Sequence, residues 1–262
     1  MGKIPISIII LAKNEEKRIA ECIGSVRDWV DEAIVIDDES ADRTKEVSEA
    51  LGAKVIVKKM QIEGAHRNWA YLQARRDWIL SLDADERVTP ELKRELIELL
   101  QSDPHFNAFT IPRKNFIGDY WIKGGGLYPS PQLKLFRKDK FKWEEVEVHP
   151  RAFLDGECGH LKSDLIHYTY RNWEDFVNKL NRQTTLEARK WHKLSFENPK
   201  KARYKMNIPH ALWRTMDRFI RTYFLKKGYR DGFTGFMVAY FASMYQIISF
   251  AKYRELEKRK NI

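Results

Sequence analysis

The first hundred residues switch between two periodicities. Ile6–Leu11 is an unbroken apolar run that reads as a strand. After the polar break Ala12–Glu15, apolar residues fall at Ile19, Ile23, Val26 and Val30, at spacings of four, three and four, which predict a helix. Ala33–Asp37 returns to strand character. Residues 42–51 predict a short helix, and Gly52 stands just past its end, where a left-handed residue commonly closes a helix. Val55–Val57 and Trp78–Leu82 read as a third and a fourth strand, with a helix over residues 66–76 between them. Thr89 and Pro90 supply an N-cap and a first-turn residue to a helix whose Leu92, Leu96, Leu99 and Leu100 share one face. Alternation of this kind predicts a mostly parallel sheet covered by helices, with ligands at the carboxyl ends of the strands.

Beyond residue 105 the pattern changes. Short strand-like runs at Ala108–Ile111, Gln132–Phe136 and Asp164–Tyr168 are separated by loops rich in Gly, Pro and aromatic residues. From Trp173 onward the pattern is helical, with Phe176, Leu180, Thr184, Ala188 and Trp191 on one side of a helix over 173–193. The expected organisation is an α/β domain over residues 1–170, with halves at about 1–105 and 106–170, then a helical extension over 171–262.

Charge sharpens that division. Residues 1–170 carry 26 Lys+Arg against 29 Asp+Glu, whereas residues 171–262 carry 21 against 8. The back third therefore holds all of the net charge of +10 and seeks an anionic partner. Hydrophobic residues make up 43% of the chain, which excludes wholesale disorder. Cys22 and Cys158 fit no disulfide framework, and the start of the sequence does not read as a signal peptide, so a reducing, cytoplasmic setting is expected.

The acids fall where the strands end. The second strand runs into Asp37-Asp38, the fourth into Asp83-Ala84-Asp85-Glu86, and the first ends near Asn14-Glu15-Glu16. Three strands thus deliver carboxylates to one edge of a sheet, an arrangement that costs free energy unless a cation sits among them. Hard oxygen ligands suit Mg²⁺ or Mn²⁺. Glu16 reads instead as a first-turn acid facing a helix dipole, and Glu86 as a solvated turn residue.

Taken in order, residues 9–16 (Ile-Ile-Leu-Ala-Lys-Asn-Glu-Glu), 34–44 (Ile-Val-Ile-Asp-Asp-Glu-Ser-Ala-Asp-Arg-Thr), 64–70 (Gly-Ala-His-Arg-Asn-Trp-Ala) and 78–86 (Trp-Ile-Leu-Ser-Leu-Asp-Ala-Asp-Glu) resemble the nucleotide-binding half of the family 2 glycosyltransferases. The resemblance continues through Pro-Arg-Lys-Asn-Phe at 112–116, Gly-Gly-Gly-Leu-Tyr-Pro at 124–129, Gln-Leu-Lys-Leu-Phe-Arg at 132–137, Val-His at 148–149 and Leu-Ile-His-Tyr at 165–168. That stretch is similar to the subgroup acting on lipopolysaccharide core and related cell-surface glycans. Each motif alone is weak; the ordered set is specific.

The resemblance implies a Rossmann-like GT-A fold, an inverting hexosyl transfer from a nucleotide-sugar donor and a divalent metal. It places Asp38 or its neighbour Asp37 at the base or ribose of the nucleotide, with Glu15 nearby. Asp83 and Asp85 become the Asp-x-Asp pair handling ribose and metal-bound diphosphate, and Arg67 lies by the base or the phosphates. Inverting transfer also needs a base for the acceptor hydroxyl. Similar enzymes carry an acidic residue followed by Val-His-Glu; here Pro150 occupies the last position, so that Glu has no counterpart. Glu145 and Glu147 are the candidates, on one face if the segment is a strand, with His149 as support or substitute. The Gly-rich loop 120–129, with Trp121 and Tyr128, suits sugar faces and closure against water. His149, Cys158, His160 and His167 match no usual zinc spacing.

In the extension, Trp213, Met216, Phe219, Ile220, Tyr223 and Phe224 interleave with Arg214, Arg218, Arg221, Lys226 and Lys227. An uncharged stretch follows from Gly232 to Ala251, long enough to cross a bilayer but diluted by Gly235, Ser243, Gln246 and Ser249. It reads as a helix lying on an anionic cytoplasmic membrane face or packed in a helical core or dimer interface. A lipid-linked or lipopolysaccharide-type acceptor fits such a location. Two other functions compete. A nucleotidyltransferase of sugar phosphates usually opens with a Gly-rich phosphate loop, and Leu11–Glu16 contains no glycine. A nucleic-acid-binding module leaves the strand-end carboxylates without a purpose.

Overall fold

In the computed structural model, residues 3–146 and 151–259 are described. The elements in chain order are β1 (Ile4–Ala12), α1 (Ile19–Gly24), β2 (Val30–Asp37), α2 (Thr44–Ala50), β3 (Lys54–Val57), α3 (Glu63–Leu72), β4 (Trp78–Asp83), β5 (Glu86–Val88) and α4 (Pro90–Gln101). There follow β6 (Ala108–Ile111), β7 (Arg113–Ile117), β8 (Tyr120–Trp121), β9 (Gln132–Arg137), β10 (Phe141–Trp143), β11 (Ala152–Leu154), β12 (Cys158–His160) and β13 (Leu165–Tyr170). The helices α5 (Trp173–Glu197), α6 (Pro199–Lys205), α7 (Ile208–Ile220) and α8 (Gly232–Arg259) complete the chain, with a π-turn at Arg221–Leu225 and a 3₁₀ turn at Gly228–Asp231 between the last two.

The chain forms two compact units, Met1–Arg113 with Ser130–His167, and Lys114–Pro129 with Tyr168–Ile262. The Gly-rich loop therefore groups with the helices. Its expected place was inside a continuous 1–170 domain.

The first unit is the expected α/β layer structure. Its seven-stranded sheet runs β12-β6-β9-β4-β1-β2-β3. β1 pairs in parallel with β2 and β4, and β2 with β3, while β9 lies antiparallel to both β4 and β6. β1 shows why its apolar run is continuous. Ile6, Ile8 and Ile10 enter one core with Ile19, Ile23 and Leu92, whereas Ile9 enters the other with Ala70, Tyr71 and Phe136. Both faces of the strand are buried, as parallel strands require, and each such side chain contributes roughly 1.5–3 kcal/mol relative to exposure.

Local chemistry sets most boundaries. Thr89 accepts from Leu92 N at 3.1 Å and caps α4, with Pro90 opening it, and Gly52 closes α2 at φ 81°. One expected helix is shorter than its pattern. α1 ends at Gly24, and Val30 is the first residue of β2, paired with Ile4. The extra sheet pairing outweighs continuation of the helix.

The second unit is built on helices. Ala188 and Trp191 of α5 pack with Met206, Ala211 and with Phe250 and Tyr253 of α8. Lys252 on α8 donates to Asn181 O at 2.7 Å and to the Thr184 and Thr185 hydroxyls at 2.9 and 2.8 Å, so α8 is tied to α5 by a polar clasp as well. Within the Gly-rich loop, Lys123 and Gly124 donate their N–H groups to Asp231 at 3.0 and 2.6 Å. A Cβ at Gly124 would stand 2.3 Å from the Lys227 carbonyl oxygen. That glycine serves close approach of two backbones.

Candidate active site

The carboxyl ends of β1, β2 and β4 lie side by side, because Ala12 pairs with Asp37 and Leu11 with Asp83. The loops leaving β1 and β2 are laced together. Asn14, at φ 55°, donates its N–H to the Ser40 hydroxyl at 2.8 Å, and its side chain accepts from Ala41 N at 2.8 Å. Glu15 N and Glu16 N donate to Thr44 and Asp42 at 2.8 and 3.1 Å, and Arg43 N donates back to Glu16 at 3.1 Å. Glu16 thus braces the neighbouring loop, a larger role than the dipole-facing one expected of it.

The two acids after β2 divide their work. Asp37 is buried and turned into its own loop, accepting from the Ser40 N–H at 3.1 Å and from the Ser40 hydroxyl. Asp38 accepts from the Lys13 ammonium at 2.8 Å and from Met60 N at 2.7 Å. Burial works against its charge, but those two donors hold the carboxyl below its ordinary value. Nearby, His66 on α3 is buried with no hydrogen-bond partner at Nδ1, and burial pushes its pKa down despite Asp38.

The turn between β4 and β5 carries the densest charge. Asp83 receives Arg67 from α3 at 3.3 Å and Lys134 from β9 at 3.0 Å. Desolvation opposes ionisation of Asp83, yet Lys134 and Arg67 hold it far below the usual carboxylate range. Glu86 is fully buried beneath it, receiving Lys134 at 2.6 Å, Arg113 at 3.4 Å and the Asp83 N–H at 2.9 Å. Glu86 is therefore an interior anchor, and the expectation of a solvated turn residue is corrected. Arg87 locks the turn from the other side, donating to Ala84 O, Glu86 O and Arg18 O at 2.8, 2.8 and 2.7 Å. Under the turn, the Cys22 Sγ lies 3.7 Å from Asp83 O, and burial drives its thiol up to about 12. Cys22 is packing, not chemistry.

Asp85 points elsewhere. Its carboxylate lies 3.7 Å from Arg18 Nη1 and 3.7 Å from His167 Nε2, which β13 delivers by pairing His167 opposite Glu86. Among the described residues no three His, Cys, Asp or Glu side chains converge as a closed metal cage. Asp85 and His167 form instead a two-donor corner. Two such donors, with Arg18 beside them, would supply part of the shell of a six-coordinate Mg²⁺ or Mn²⁺ that keeps waters and takes substrate phosphates.

A family model described as glycosyl transferase family 2 matches residues 7–154. The chain belongs to this family. The protein is a glycosyltransferase, and its relatives extend the likeness along the whole chain. It is similar to an uncharacterized glycosyltransferase of Rickettsia typhi, at 28% identity over 98% of this chain and 89% of the relative. It is similar also to the lipopolysaccharide core biosynthesis glycosyltransferase LpsC of Rhizobium meliloti, at 24% identity over 99% of this chain and 97% of the relative. Among solved structures, glucosyl-3-phosphoglycerate synthase from Mycobacterium tuberculosis in complex with Mn²⁺, UDP and glucosyl-3-phosphoglycerate matches at 25% identity and a TM-score of 0.36, covering 44% of each chain. The chain spans under half of that solved chain.

Of the residues expected at the glycosyltransferase site, the edge of the sheet gathers Asp37, Asp38, Asp83, Asp85 and Arg67, with Glu15 set against Arg18 at 3.9 Å. Glu145 is exposed and receives Asn68 Nδ2 at 3.3 Å. It stands past the end of β10 at Trp143, so no strand face sets its direction. The segment is steered by α3 instead. Asn68 exchanges hydrogen bonds with Trp143 N and O at 2.8 and 2.9 Å, and Gly64 leaves room for Glu144, whose carbonyl oxygen would be 1.9 Å from a Cβ there. Glu147 and His149 lie outside the described residues. Lys134, Glu86, Arg87, Asn68 and His167 were not among the expected site residues. For His167 a signal was present in the Leu-Ile-His-Tyr motif, which carried no assigned role.

Proposed function

We propose that this glycosyltransferase moves a hexose, with inversion, from a nucleoside diphosphate sugar to a hydroxyl of a lipid-linked or lipopolysaccharide-type glycan, using Mg²⁺ or Mn²⁺. The observation that carries the reading is the pair of acids on one turn with different surroundings: Asp83 neutralised by Lys134 and Arg67 in direct contact, and Asp85 set between Arg18 and His167, each 3.7 Å away. Asp83, held anionic and fixed, accepts from donor hydroxyls. Asp85 and His167 would hold the cation, whose positive charge would offset the negative charge of the leaving diphosphate. Asp38, braced by Lys13, takes the nucleoside end, with Asp37 and Glu15 shaping the loops around it. Arg67 adds positive potential on the donor side.

On the acceptor side, Glu145 takes the proton as the hydroxyl oxygen bonds to the anomeric carbon, while the bond to the diphosphate breaks and its electron pair leaves with the diphosphate. Asn68 orients that carboxylate. The full-length likeness to LpsC supports the acceptor class, and UDP-sugars are the first donors to test. Release of nucleoside diphosphate in the presence of lipopolysaccharide core oligosaccharide should require Mn²⁺ or Mg²⁺ and cease in EDTA. Turnover undiminished by EDTA would contradict the metal assignment, and no release with any sugar nucleotide would contradict the transfer.

A further inference from the structure

The helical unit presents its apolar side outward. Along α7 and the π-turn after it, Ile208, Leu212, Met216, Ile220 and Phe224 recur every fourth residue and all are exposed, whereas Ala211 and Thr222 are buried. An amphipathic helix ordinarily turns such a stripe into a core. The patch continues beyond α7 through ring contacts. Phe236 on α8 meets Phe219 and Tyr223 with centroids 5.9 Å apart in each case and stacks on Tyr240 at 6.3 Å, and Tyr223 meets Tyr229 at 6.4 Å. Phe233 and Leu225, at 74% and 69% exposure, stand at the rim. Isolated exposed apolar residues need no explanation, but a connected patch spanning two helices and the turns between them marks a contact surface.

Charge identifies what covers it. Residues 203–240 hold eight Lys+Arg against two acids. One acid, Asp217, is paired with Arg221 at 2.7 Å, and the other, Asp231, is buried on loop N–H groups. Arg203, Lys205, Arg218, Lys226, Lys227 and Arg230 are exposed. A second copy docking face to face would bring two such basic surfaces together, which repels. Nucleic acid answers the bases but gives Ile208, Leu212, Met216 and Leu225 no partner, since only rings stack on bases. A bilayer with anionic headgroups satisfies both sets, phosphates meeting Lys and Arg while the apolar stripe enters the acyl boundary.

We infer that the α7–α8 face is a monotopic docking surface for an anionic lipid bilayer. It is independent of the donor and acceptor assigned above. The helical stretch Gly228–Arg259 is long and apolar enough by length and composition to cross a membrane. Gly235, Val238, Ala239, Ser243 and Phe250 are nevertheless buried against protein, and Lys252 is bonded into α5. The helix lies in the interface with one face wet by lipid and the other held by its own unit.

The test is flotation of the full chain with phosphatidylcholine vesicles containing or lacking phosphatidylglycerol. Wild type should float with the anionic vesicles. Lys226→Gln, Lys227→Gln and Arg230→Gln together should weaken that binding about a hundredfold, at roughly fivefold per charge. Leu212→Gln, Met216→Gln, Leu225→Gln and Phe233→Gln together should weaken it at least about a hundredfold, because each substituted side chain is more than half exposed and meets lipid. All variants should melt with wild type. Lipids brominated in the acyl chain should quench Trp fluorescence, and Trp213→Phe should remove most of the quenching. Vesicle binding unchanged in both sets overturns the inference. So does an apolar set that lowers the hydrodynamic mass of the protein without altering flotation, or a wild type that retains poly(U) and not vesicles.

Discussion

The two compact units treat charge in opposite ways. The α/β unit draws charge inward, seating Lys134 and Glu86 as a buried pair at the sheet edge below a partly exposed Asp83. The helical unit keeps its bases exposed and leaves apolar side chains beside them. Buried charges are costly unless each is paired, and they are tolerated where chemistry needs fixed groups. Exposed bases next to exposed apolar groups are tolerated where another surface completes them. The contrast is the one expected if the first unit carries the proposed transfer site and the second the proposed docking face.

The strongest test of that separation is Asp85→Ala. Turnover should fall by about a thousandfold or more, the scale of losing a group aimed at transition-state charge. Flotation with anionic vesicles should be unaffected. Loss of both together would merge the two roles. Glu145→Gln should come next, lowering kcat by roughly 10²–10⁴-fold with the donor KM little changed, as expected for a general base. Near-normal kcat would move the base to the segment holding Glu147 and His149.

A smaller but structural effect is expected at Lys134. Lys134→Met leaves Glu86 without its nearest cation and should cost about 3–5 kcal/mol, read by chemical denaturation, whereas Lys134→Arg should restore much of it. A neutral outcome would show the buried pair to be dispensable. The smallest effect concerns acid. His66 is held neutral by burial below its ordinary 6.5, so the unfolded chain binds the proton more readily. Stability should be complete above pH 6.5 and fall as the pH drops from there towards the folded value. His66→Gln should flatten that part of the profile, and an unchanged slope would assign it to another group.

Much of the first unit was legible because its signals are local. The apolar run of β1, the Thr89-Pro90 start of α4 and the acids directly after β2 and β4 each announce themselves within a few residues. What stayed hidden depends on pairing between distant strands. Lys134 reaches Asp83 only because β9 runs antiparallel to β4, and His167 reaches Asp85 only because β13 pairs with β5. The placement of Glu145 was hidden for a similar reason. Asn68, on a helix far away in sequence, takes over the backbone at Trp143. In the extension, the amphipathic pattern was plain, but period alone does not tell an inward stripe from an outward one. The exposure of Leu212, Met216 and Phe224 decides it.

If the acidic sheet edge is a nucleotide-sugar and metal site, thermal unfolding with UDP-, GDP-, CMP- and dTDP-sugars, each with and without Mn²⁺, should register it. Ligand at a hundred times its Kd stabilises by about 2.7 kcal/mol. In a chain of this size that raises Tm by roughly 5–10 °C. Such a rise should appear for one nucleotide class, only with the metal, and disappear in Asp85→Ala. A Tm unmoved by every donor at millimolar concentration, or a rise of equal size in EDTA, would contradict it.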